Sequence, residues 1–407
     1  MSLADLFDRA GGVTRRRLAK GAAAAGAVAA ATALAGCSGD AGDASGAGEP
    51  QVVNDSSKII DALDDYESAD MGVNASQTWT LPLGTLLFHC EGRRAATMLA
   101  PESATSPNAL GFLSLASGEL TTLLAAPTKG RGYSFHDVRC GDGVYAWLEM
   151  DYRQGSWVLL AQPFSQGALT GQVTQLDAGD EDWEPPLFTC TGTSVIWQKM
   201  PMASGEKSAQ ASKCRRWSAG DAEPSDLWTS RGRFATPPRA SAAILTITPR
   251  VRTGEGTYYG MTALDLKDDK PSQLDQLVLP AGVRPFDAVY TGKEFAFSIE
   301  ASYDSAGSLG KMGTFMGREG GPYVYFGREP AAQVVYNGTR FLIKTQSAHY
   351  AVDTDKRQYE GISSPDRNIG MGDFPASEGQ CATPLVYATV RDAKGIPASV
   401  TARLLTL

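Results

Sequence analysis

Short runs of alternating apolar and polar residues fill the chain from residue 77 onward, and glycine, asparagine, aspartate or proline separates one run from the next. In one unit of this pattern the runs cover residues 135–140, 144–152, 156–163 and 172–177. Tight turns at residues 141–143 and 153–155 contain glycine, as expected of hairpins. Alternation with a period of two is typical of β-strands, and no long helical period occurs in this part of the sequence. The pattern therefore predicts an all-β fold.

The same unit recurs along the chain at a nearly constant spacing. Residues 187–197 repeat residues 137–147, so that Trp197 matches Trp147. A marker position at the end of the first strand of the unit recurs at Cys90, Cys140, Cys190, Tyr290, Tyr336 and Cys381. Units begin near residues 85, 135, 185, 235, 285, 331 and 376. A repeat of this length indicates one closed array in which neighbouring units bury each other's faces.

The last unit has room for only three strands, while residues 77–83 form an unassigned strand before the first unit. Pairing this N-terminal strand with the last unit would close the ring and cover two strand edges. Residues 77–407 therefore resemble a β-propeller of the TolB-like or WD40-like superfamily. The resemblance implies seven four-stranded blades, the last completed by the N-terminal strand. The individual motifs are degenerate, without the Gly-His and Trp-Asp pairs of WD40 repeats, and six or eight blades stay open as alternatives.

The N-terminal residues predict export from the cytoplasm. Residues 14–20, Thr-Arg-Arg-Arg-Leu-Ala-Lys, resemble the twin-arginine signal, with Arg15 and Arg16 as the recognised pair. An apolar run over residues 21–35 follows, too short for a comfortable membrane span. Residues 34–37, Leu-Ala-Gly-Cys, are similar to a lipobox, which implies cleavage after residue 36 and lipidation of Cys37. An uncleaved anchor and a chance Leu-Ala-Gly-Cys are the alternatives.

This resemblance to exported lipoproteins divides the chain into four parts. Residues 1–36 are predicted to be a signal peptide recognised by the twin-arginine export machinery, and residues 37–57 a lipidated cysteine with a flexible tether. Residues 58–76 form a lead-in that begins with a short amphipathic helix over residues 58–66, and residues 77–407 form the propeller. The expected location is the outer side of the cytoplasmic membrane, held by the lipid on Cys37.

Charge excludes one class of partner. The net charge is -8 for 407 residues, and residues 1–36 carry five basic and two acidic residues, so the charge becomes -11 after their removal. A chain this acidic has no general attraction to nucleic acid. The sequence identifies no cofactor.

Cysteine and histidine do not predict a catalytic or metal site. The cysteines lack the spacing of a zinc site, and neighbouring blades place equivalent residues beyond disulfide distance. We expect small buried side chains near the axis, with a bridge between Cys90 and Cys381 across the closing blades as the alternative. None of the three histidines accompanies a nucleophile elbow, and His136 is expected to be a hydrogen-bonded packing residue.

The loops leading into the innermost strands contain the candidate ligand-binding residues. In a propeller these loops surround one end of the central channel. They carry five arginines and three aromatic residues, Tyr133, Trp183 and Phe234, and the loop before the third unit is acidic over residues 180–184. The candidates are Arg131, Tyr133, Trp183, Glu184, Arg233, Arg284, Arg328 and Arg367. Arginines in these loops can capture carboxylates, sulfates or phosphates. The alternative is that they are solvated charges that balance the acidic loop.

These residues favour a binding protein over an enzyme. We expect the propeller to bind a protein, a peptide or an anionic glycan outside the cytoplasmic membrane. One alternative is a glycan hydrolase or lyase, for which Glu184 and Asp373 could supply the two carboxylates. Another is a scaffold of an envelope complex that uses the blade edges.

Overall fold

The computed structural model describes residues 49–50, 58–101, 103, 105–254, 256–268, 270–300, 312–346, 348–362 and 374–407. Arg15, Arg16 and Cys37, most of the tether, Arg367 and Asp373 lie outside these residues. The predictions for them stay predictions. None of the described helices is long and apolar enough to cross a membrane.

The lead-in contains far less helix than the sequence predicts. Its elements are β1 (Ile59–Asp61), α1 (Ala62–Asp65), β2 (Glu67–Ser68) and β3 (Asn74–Pro82). The predicted helix over residues 58–66 is therefore wrong except for one turn, which begins where the Asp61 side chain accepts a hydrogen bond from the backbone of Leu63. β1 instead pairs in parallel with the strand Tyr323–Phe326, because that strand offers an edge for pairing and an isolated helix of nine residues is only marginally stable.

The remaining strands follow in chain order, and the described strands together form seven hydrogen-bonded sheets. Sheet 1 contains β4 (Leu86–Glu91), β5 (Arg94–Leu99), β6 (Ala109–Ser114) and β7 (Leu120–Leu124). Sheet 2 contains β8 (Ser134–Cys140), β9 (Val144–Asp151), β10 (Ser156–Ser165), β11 (Ala168–Leu169) and β12 (Thr174–Gly179). Sheet 3 contains β13 (Leu187–Thr191), β14 (Ser194–Lys199), β15 (Ser212–Ser218) and β16 (Ser225–Ser230).

The other four sheets complete the array. Sheet 4 contains β17 (Arg239–Ser241), β18 (Ile244–Ile247), β19 (Arg250–Gly254), β20 (Gly256–Asp265) and β21 (Ser272–Val278). Sheet 5 contains β22 (Asp287–Tyr290), β23 (Phe295–Ile299), β24 (Gly313–Gly317) and β25 (Tyr323–Phe326). Sheet 6 contains β26 (Val335–Tyr336), β27 (Phe341–Lys344), β28 (His349–Asp353) and β29 (Gln358–Ile362). The C-terminal strands are β30 (Phe374–Pro375), β31 (Gly379–Gln380), β32 (Leu385–Arg391) and β33 (Pro397–Thr406).

Six of the sheets are each built on consecutive strands, and sheet 7 is composite. Sheet 7 joins β30, β32 and β33 to the N-terminal β3, which runs antiparallel to β33 from Asn74 to Pro82. The predicted closure by an N-terminal strand is confirmed. The same N-terminal segment adds β1 to sheet 5 and β2 to sheet 6, both as parallel outer strands. It therefore covers the outer edges of three successive sheets.

Apolar residues pack between neighbouring sheets. The described residues form seven buried clusters. Six of them combine side chains of two sheets that follow one another in the chain, and one combines those of sheets 7 and 1. Trp147 and Trp197, the repeated tryptophans, are fully buried in the clusters of sheets 1 to 3. Face-to-face packing of successive sheets around a ring is the arrangement of a β-propeller. The predicted all-β propeller fold is thus confirmed.

The direction of the strands defines two ends of the array. In each sheet the innermost strand begins at one end and turns back into the second strand at the other end. We call the first end the loop face, because it carries the loops into the innermost strands and the turns between second and third strands. We call the opposite end, with the turns between first and second strands, the turn face.

Candidate ligand-binding face

A cluster of ionisable side chains occupies the axis of the propeller, and we call it the axial cluster. Its members are His89 of β4, Asp137 and Arg139 of β8, Arg239 of β17, Asp287 of β22, and Glu378, which precedes β31. His89, Arg239, Asp287 and Glu378 are each less than 9% exposed. Innermost strands of five different sheets or their extensions therefore meet in one charged network.

Glu378 is the centre of this network. Its Oε1 lies 3.3 Å from Nε of Arg139, and its Oε2 lies 3.1 Å from Nη1 of Arg239 and 3.6 Å from Nδ1 of His89. Burial alone would raise the pKa of Glu378, but Arg239 and Arg139 hold it well below its usual range. The carboxylate therefore stays ionised at neutral pH although it is almost completely buried.

The two arginines have further partners. Nε of Arg239 donates to Oδ1 of Asp287 at 2.8 Å, and Oδ2 of Asp287 accepts a hydrogen bond from the backbone N–H of Val334 at 3.1 Å. Burial would lower the pKa of Arg239, but Asp287 and Glu378 raise it above its ordinary value. Arg139 pairs with the adjacent Asp137. Mutual pairing of this kind is what makes buried charges tolerable.

Polar contacts also join the sheets across the axis at the turn face. The carboxylate of Glu91 accepts hydrogen bonds from the backbone of Asp142 and Gly192 and from the Thr191 hydroxyl, at 2.8 to 3.0 Å. Gly379 lies so close to β17 that a Cβ atom there would be 2.2 Å from Oγ of Ser241. Its φ of +61° also favours glycine.

The exposure of the axial cluster indicates where solvent reaches it. The side chains of Asp137 and Arg139 are 17% and 13% exposed, more than those of Glu378, Asp287 or Arg239. Near them, at the loop face, the hydroxyl of Tyr152 lies 2.8 Å from Nδ1 of His136. The prediction that His136 is a hydrogen-bonded residue on an inner strand is confirmed by this contact.

Most of the axial cluster was not predicted from the sequence. Asp137, Asp287 and Glu378 each lie three residues before a marker residue, namely Cys140, Tyr290 and Cys381. Charged residues at one fixed offset in three repeats are a signal for an axial layer, because equivalent positions of a propeller lie at equal distances from its axis. Their basic partners carry a second such signal, because His89 and Arg139 each lie one residue before the markers Cys90 and Cys140. Arg239 lies one residue before Ala240, which pairs with Leu245 in the same register as Cys140 with Tyr145.

The structure separates the predicted arginines into two kinds. Arg131, Arg284 and Arg328 are exposed on the loop face, and the guanidinium of Arg284 lies 6.0 Å from the ring centre of Tyr259. Arg233 is instead paired with Glu184 and donates to the carbonyl oxygen of Pro201 at 2.6 Å. The charge-balancing explanation therefore accounts for Arg233.

The acidic loop before β13 is neutralised by its surroundings. Lys207 lies 3.0 Å from Asp182 and 3.7 Å from Asp180. The ring of Trp183 is half-buried between two amines, with its centre 5.0 Å from Nζ of Lys199 and 5.5 Å from Nζ of Lys207. The charged side chains of this loop are therefore paired within the protein, and Glu184 forms an ion pair with Arg233.

The predicted aromatic Tyr133 lies at the edge of the cluster between sheets 1 and 2, with its hydroxyl 3.3 Å from Oγ of Ser156. Exposed apolar side chains are concentrated on the same face. Six large hydrophobic residues are exposed in the described part of the chain: Leu83, Tyr152, Val173, Leu187, Leu274 and Ile396. Four of them, Leu83, Tyr152, Leu187 and Ile396, belong to loops or strand ends of the loop face.

Three of the described cysteines are packing residues, whereas Cys381 is only half-buried. Cys140, Cys190 and Cys214 are buried free thiols, as the packing explanation predicts. Burial raises the pKa of Cys140 to about 12 and that of Cys190 well above its usual value, so these thiols are poor nucleophiles. The bridge between Cys90 and Cys381 stays a prediction, because the Cys90 side chain lies outside the description. Among the described residues no group of three or more His, Cys, Asp and Glu could hold a metal ion.

Comparison with known proteins supports the fold. No protein-family model and no curated protein matches the chain. Among solved structures, the chain is similar to the β-propeller domain of the Trilobed protease from Pyrococcus furiosus. The match has a TM-score of 0.50 and 7% identity, and covers 79% of this chain and 97% of that one. The chain is also similar to YCF48 bound to the D1 peptide, with a TM-score of 0.48, 8% identity, and coverage of 83% and 97%. At 7% identity, the match to the Trilobed protease domain supports a propeller fold and nothing finer.

Proposed function

We propose that this protein is an exported, lipid-anchored binding protein whose loop face captures a protein or peptide partner outside the cytoplasmic membrane. The propeller is proposed to have seven blades, with the composite sheet 7 counted as one of them. The seven sheets and the seven clusters between them support this count.

The observation that carries the binding proposal is the composition of the loop face. Three exposed arginines of the loops into innermost strands lie on it, together with four of the six exposed large hydrophobic residues. Arginine and tyrosine are the residue types that contribute most to protein interfaces. Apolar side chains would add little to the capture of a purely anionic glycan, and for this reason we favour a protein or a peptide.

A glycan hydrolase or lyase is less well supported. The carboxylate of Glu184 is paired with Arg233 and is therefore turned toward a cation of the protein rather than toward a glycosidic bond. The proposed second carboxylate, Asp373, lies outside the described residues. We therefore keep binding as the function.

A binding screen tests the loop face. Full-length protein is offered a random peptide library displayed on phage and, in parallel, an array of sulfated and carboxylated glycans. We expect peptides to be enriched, and the combined substitutions Arg131→Gln, Arg284→Gln and Arg328→Gln to weaken their binding about tenfold. Arg93→Gln is the matched control, because Arg93 is exposed on the turn face. Enrichment of glycans alone, or peptide binding that the loop-face variants leave unchanged, would refute the proposal.

Membrane attachment is tested separately. The twin-arginine pattern at Arg15 and Arg16 and the cysteine at the end of the apolar run support export and lipidation. We expect Cys37→Ser to move the protein from the membrane fraction to the soluble fraction, and Arg15→Lys with Arg16→Lys to block export. Retention of the Cys37→Ser protein in membranes would contradict the lipid anchor.

A further inference from the structure

Sheet 2 contributes two exposed arginines and an exposed tyrosine to the loop face. Arg131 lies in the loop into β8, and Tyr152 and Arg153 lie in the turn between β9 and β10. Tyr152 is 60% exposed, the highest value among the large hydrophobic residues of the described chain. We call these three residues the sheet-2 patch.

Both segments that carry the patch are fixed by buried carboxylates of β9. Glu149, which is fully buried, accepts hydrogen bonds from the backbone N–H groups of Thr128 and Lys129 at 2.8 and 2.9 Å. It also accepts bonds from the Thr128 hydroxyl and from Nε1 of Trp147. The loop that leads to Arg131 is thereby attached to the core of sheet 2.

Asp151 holds the second segment in the same way. Its Oδ1 accepts hydrogen bonds from the backbone N–H groups of Arg153 and Gln154, at 2.9 and 3.2 Å. The hydroxyl of Tyr152 is in addition held by His136 at 2.8 Å. A phenol that is exposed and yet fixed loses little conformational freedom when a partner binds.

The charge of the patch is not balanced within the described chain. The guanidinium groups of Arg131 and Arg153 form no ion pair with any carboxylate of the described residues, in contrast to Arg233 with Glu184 and Arg139 with Glu378. The two segments approach each other, because a Cβ atom on Gly132 would lie 3.4 Å from Oδ2 of Asp151. Two guanidinium groups that form no ion pair among the described residues, carried by the segments that hold a fixed phenol, complement a partner with carboxylates next to an apolar or aromatic side chain.

We propose that the sheet-2 patch is the anchor point of the partner, and that it binds an acidic peptide segment with a neighbouring hydrophobic side chain. This inference rests on the proposed function and sharpens it in two respects, the place of the strongest contact and the chemistry of the partner. Arg284 and Arg328, in the loops into the innermost strands of sheets 5 and 6, then add a weaker, long-range attraction to the acidic segment.

Peptides enriched from the phage library test the inference. We expect them to contain aspartate or glutamate beside leucine, phenylalanine, tyrosine or tryptophan. Affinities are then measured by fluorescence anisotropy with labelled copies of these peptides. We expect Arg131→Gln with Arg153→Gln, and separately Tyr152→Ser, to weaken binding about tenfold or more. Arg284→Gln with Arg328→Gln is expected to weaken it about threefold or less, mainly through slower association at low salt.

Matched controls separate this inference from the general proposal. Val173→Ser removes an exposed apolar residue away from the loop face and should leave affinity unchanged, as should Arg93→Gln. Binding lost on substitution of Arg284 and Arg328 but unaffected by the sheet-2 substitutions would overturn the inference and leave the loop-face proposal standing. Enriched peptides without acidic residues would also overturn it. Failure to enrich any peptide would refute both.

Discussion

Charged side chains are used in opposite ways at the axis and on the loop face. At the axis, Glu378 is almost completely buried and has three basic neighbours from three other sheets. On the loop face, Arg131 and Arg153 are exposed and form no ion pair in the described chain. The same residue type, arginine, therefore joins the sheets in one region and remains available to a partner in the other. Substitutions at the axis should alter stability, and substitutions on the loop face should alter binding.

The largest effect is expected at Glu378. Glu378→Gln would leave Arg139 and Arg239 with one buried carboxylate fewer, and breaking a buried ion network costs about 3–5 kcal/mol of unfolding free energy. Urea denaturation of the variant measures this change. Glu223→Gln, an exposed substitution, serves as the control. An unfolding free energy close to that of the wild type would show that the axial cluster does not hold the sheets together.

Glu149 combines features of both regions, because its carboxylate is buried like those of the axial cluster but fixes a loop of the loop face. Glu149→Gln turns one acceptor oxygen into an amide NH2 group, which then faces a backbone N–H group or the ring N–H of Trp147. Losing this hydrogen bond in the core costs about 1–3 kcal/mol of unfolding free energy. We also expect faster hydrogen exchange at residues 128–131. Exchange that is faster elsewhere but unchanged in this loop would contradict its role in fixing Arg131.

Buried histidines make the unfolding free energy depend on pH. Burial, with Lys344 and Arg403, lowers the pKa of His349 to about 3. In the unfolded chain the histidine pKa is about 6.5, so the imidazole binds a proton below that pH. In the folded chain the imidazole binds a proton only at about pH 3. Stability therefore falls as the pH falls through this window, by at most about 1.4 kcal/mol per pH unit.

Urea denaturation between about pH 7 and about pH 5 measures this slope. In that range His349→Gln should reduce the dependence of the unfolding free energy on pH, because no buried neutral imidazole remains to be protonated on unfolding. His136→Gln on the loop face should flatten it less, since His136 is only partly buried although burial lowers its pKa too. Equal slopes in the wild type and in His349→Gln would contradict the assignment of a neutral His349.

The sequence predicted the fold better than it predicted the site, for a physical reason. Alternation within strands and a repeat marked by Cys140 and Cys190 are local patterns, and they are sufficient for a propeller closed by its N-terminal strand. The pairing of Glu184 with Arg233 depends on how loops of two adjacent sheets approach each other, which no local pattern encodes. The axial cluster depends on even longer separations, because Arg139 and Glu378 are 239 residues apart.

The helix predicted over residues 58–66 was lost for a related reason. Its apolar residues at helical spacing do become partly buried, but they pack on sheets 5 and 6 from parallel strands and a single helical turn. Free edges of β25 and β29 offered these backbone groups partners that the sequence alone did not reveal.

The smallest effect on stability is expected for the exposed arginines of sheets 5 and 6. Arg284→Ala with Arg328→Ala removes two charges that lie on the loop face, and surface substitutions of this kind usually change the unfolding free energy by about 0.5 kcal/mol or less. Arg239→Ala is the matched comparison, because the same truncation at the axis leaves Asp287 and Glu378 without their shared cation. Thermal unfolding of the two variants side by side should show a large fall in Tm only for Arg239→Ala. A comparable fall for both would mean that the loop-face arginines are structural, and the division between a stabilising axis and a binding face would then fail.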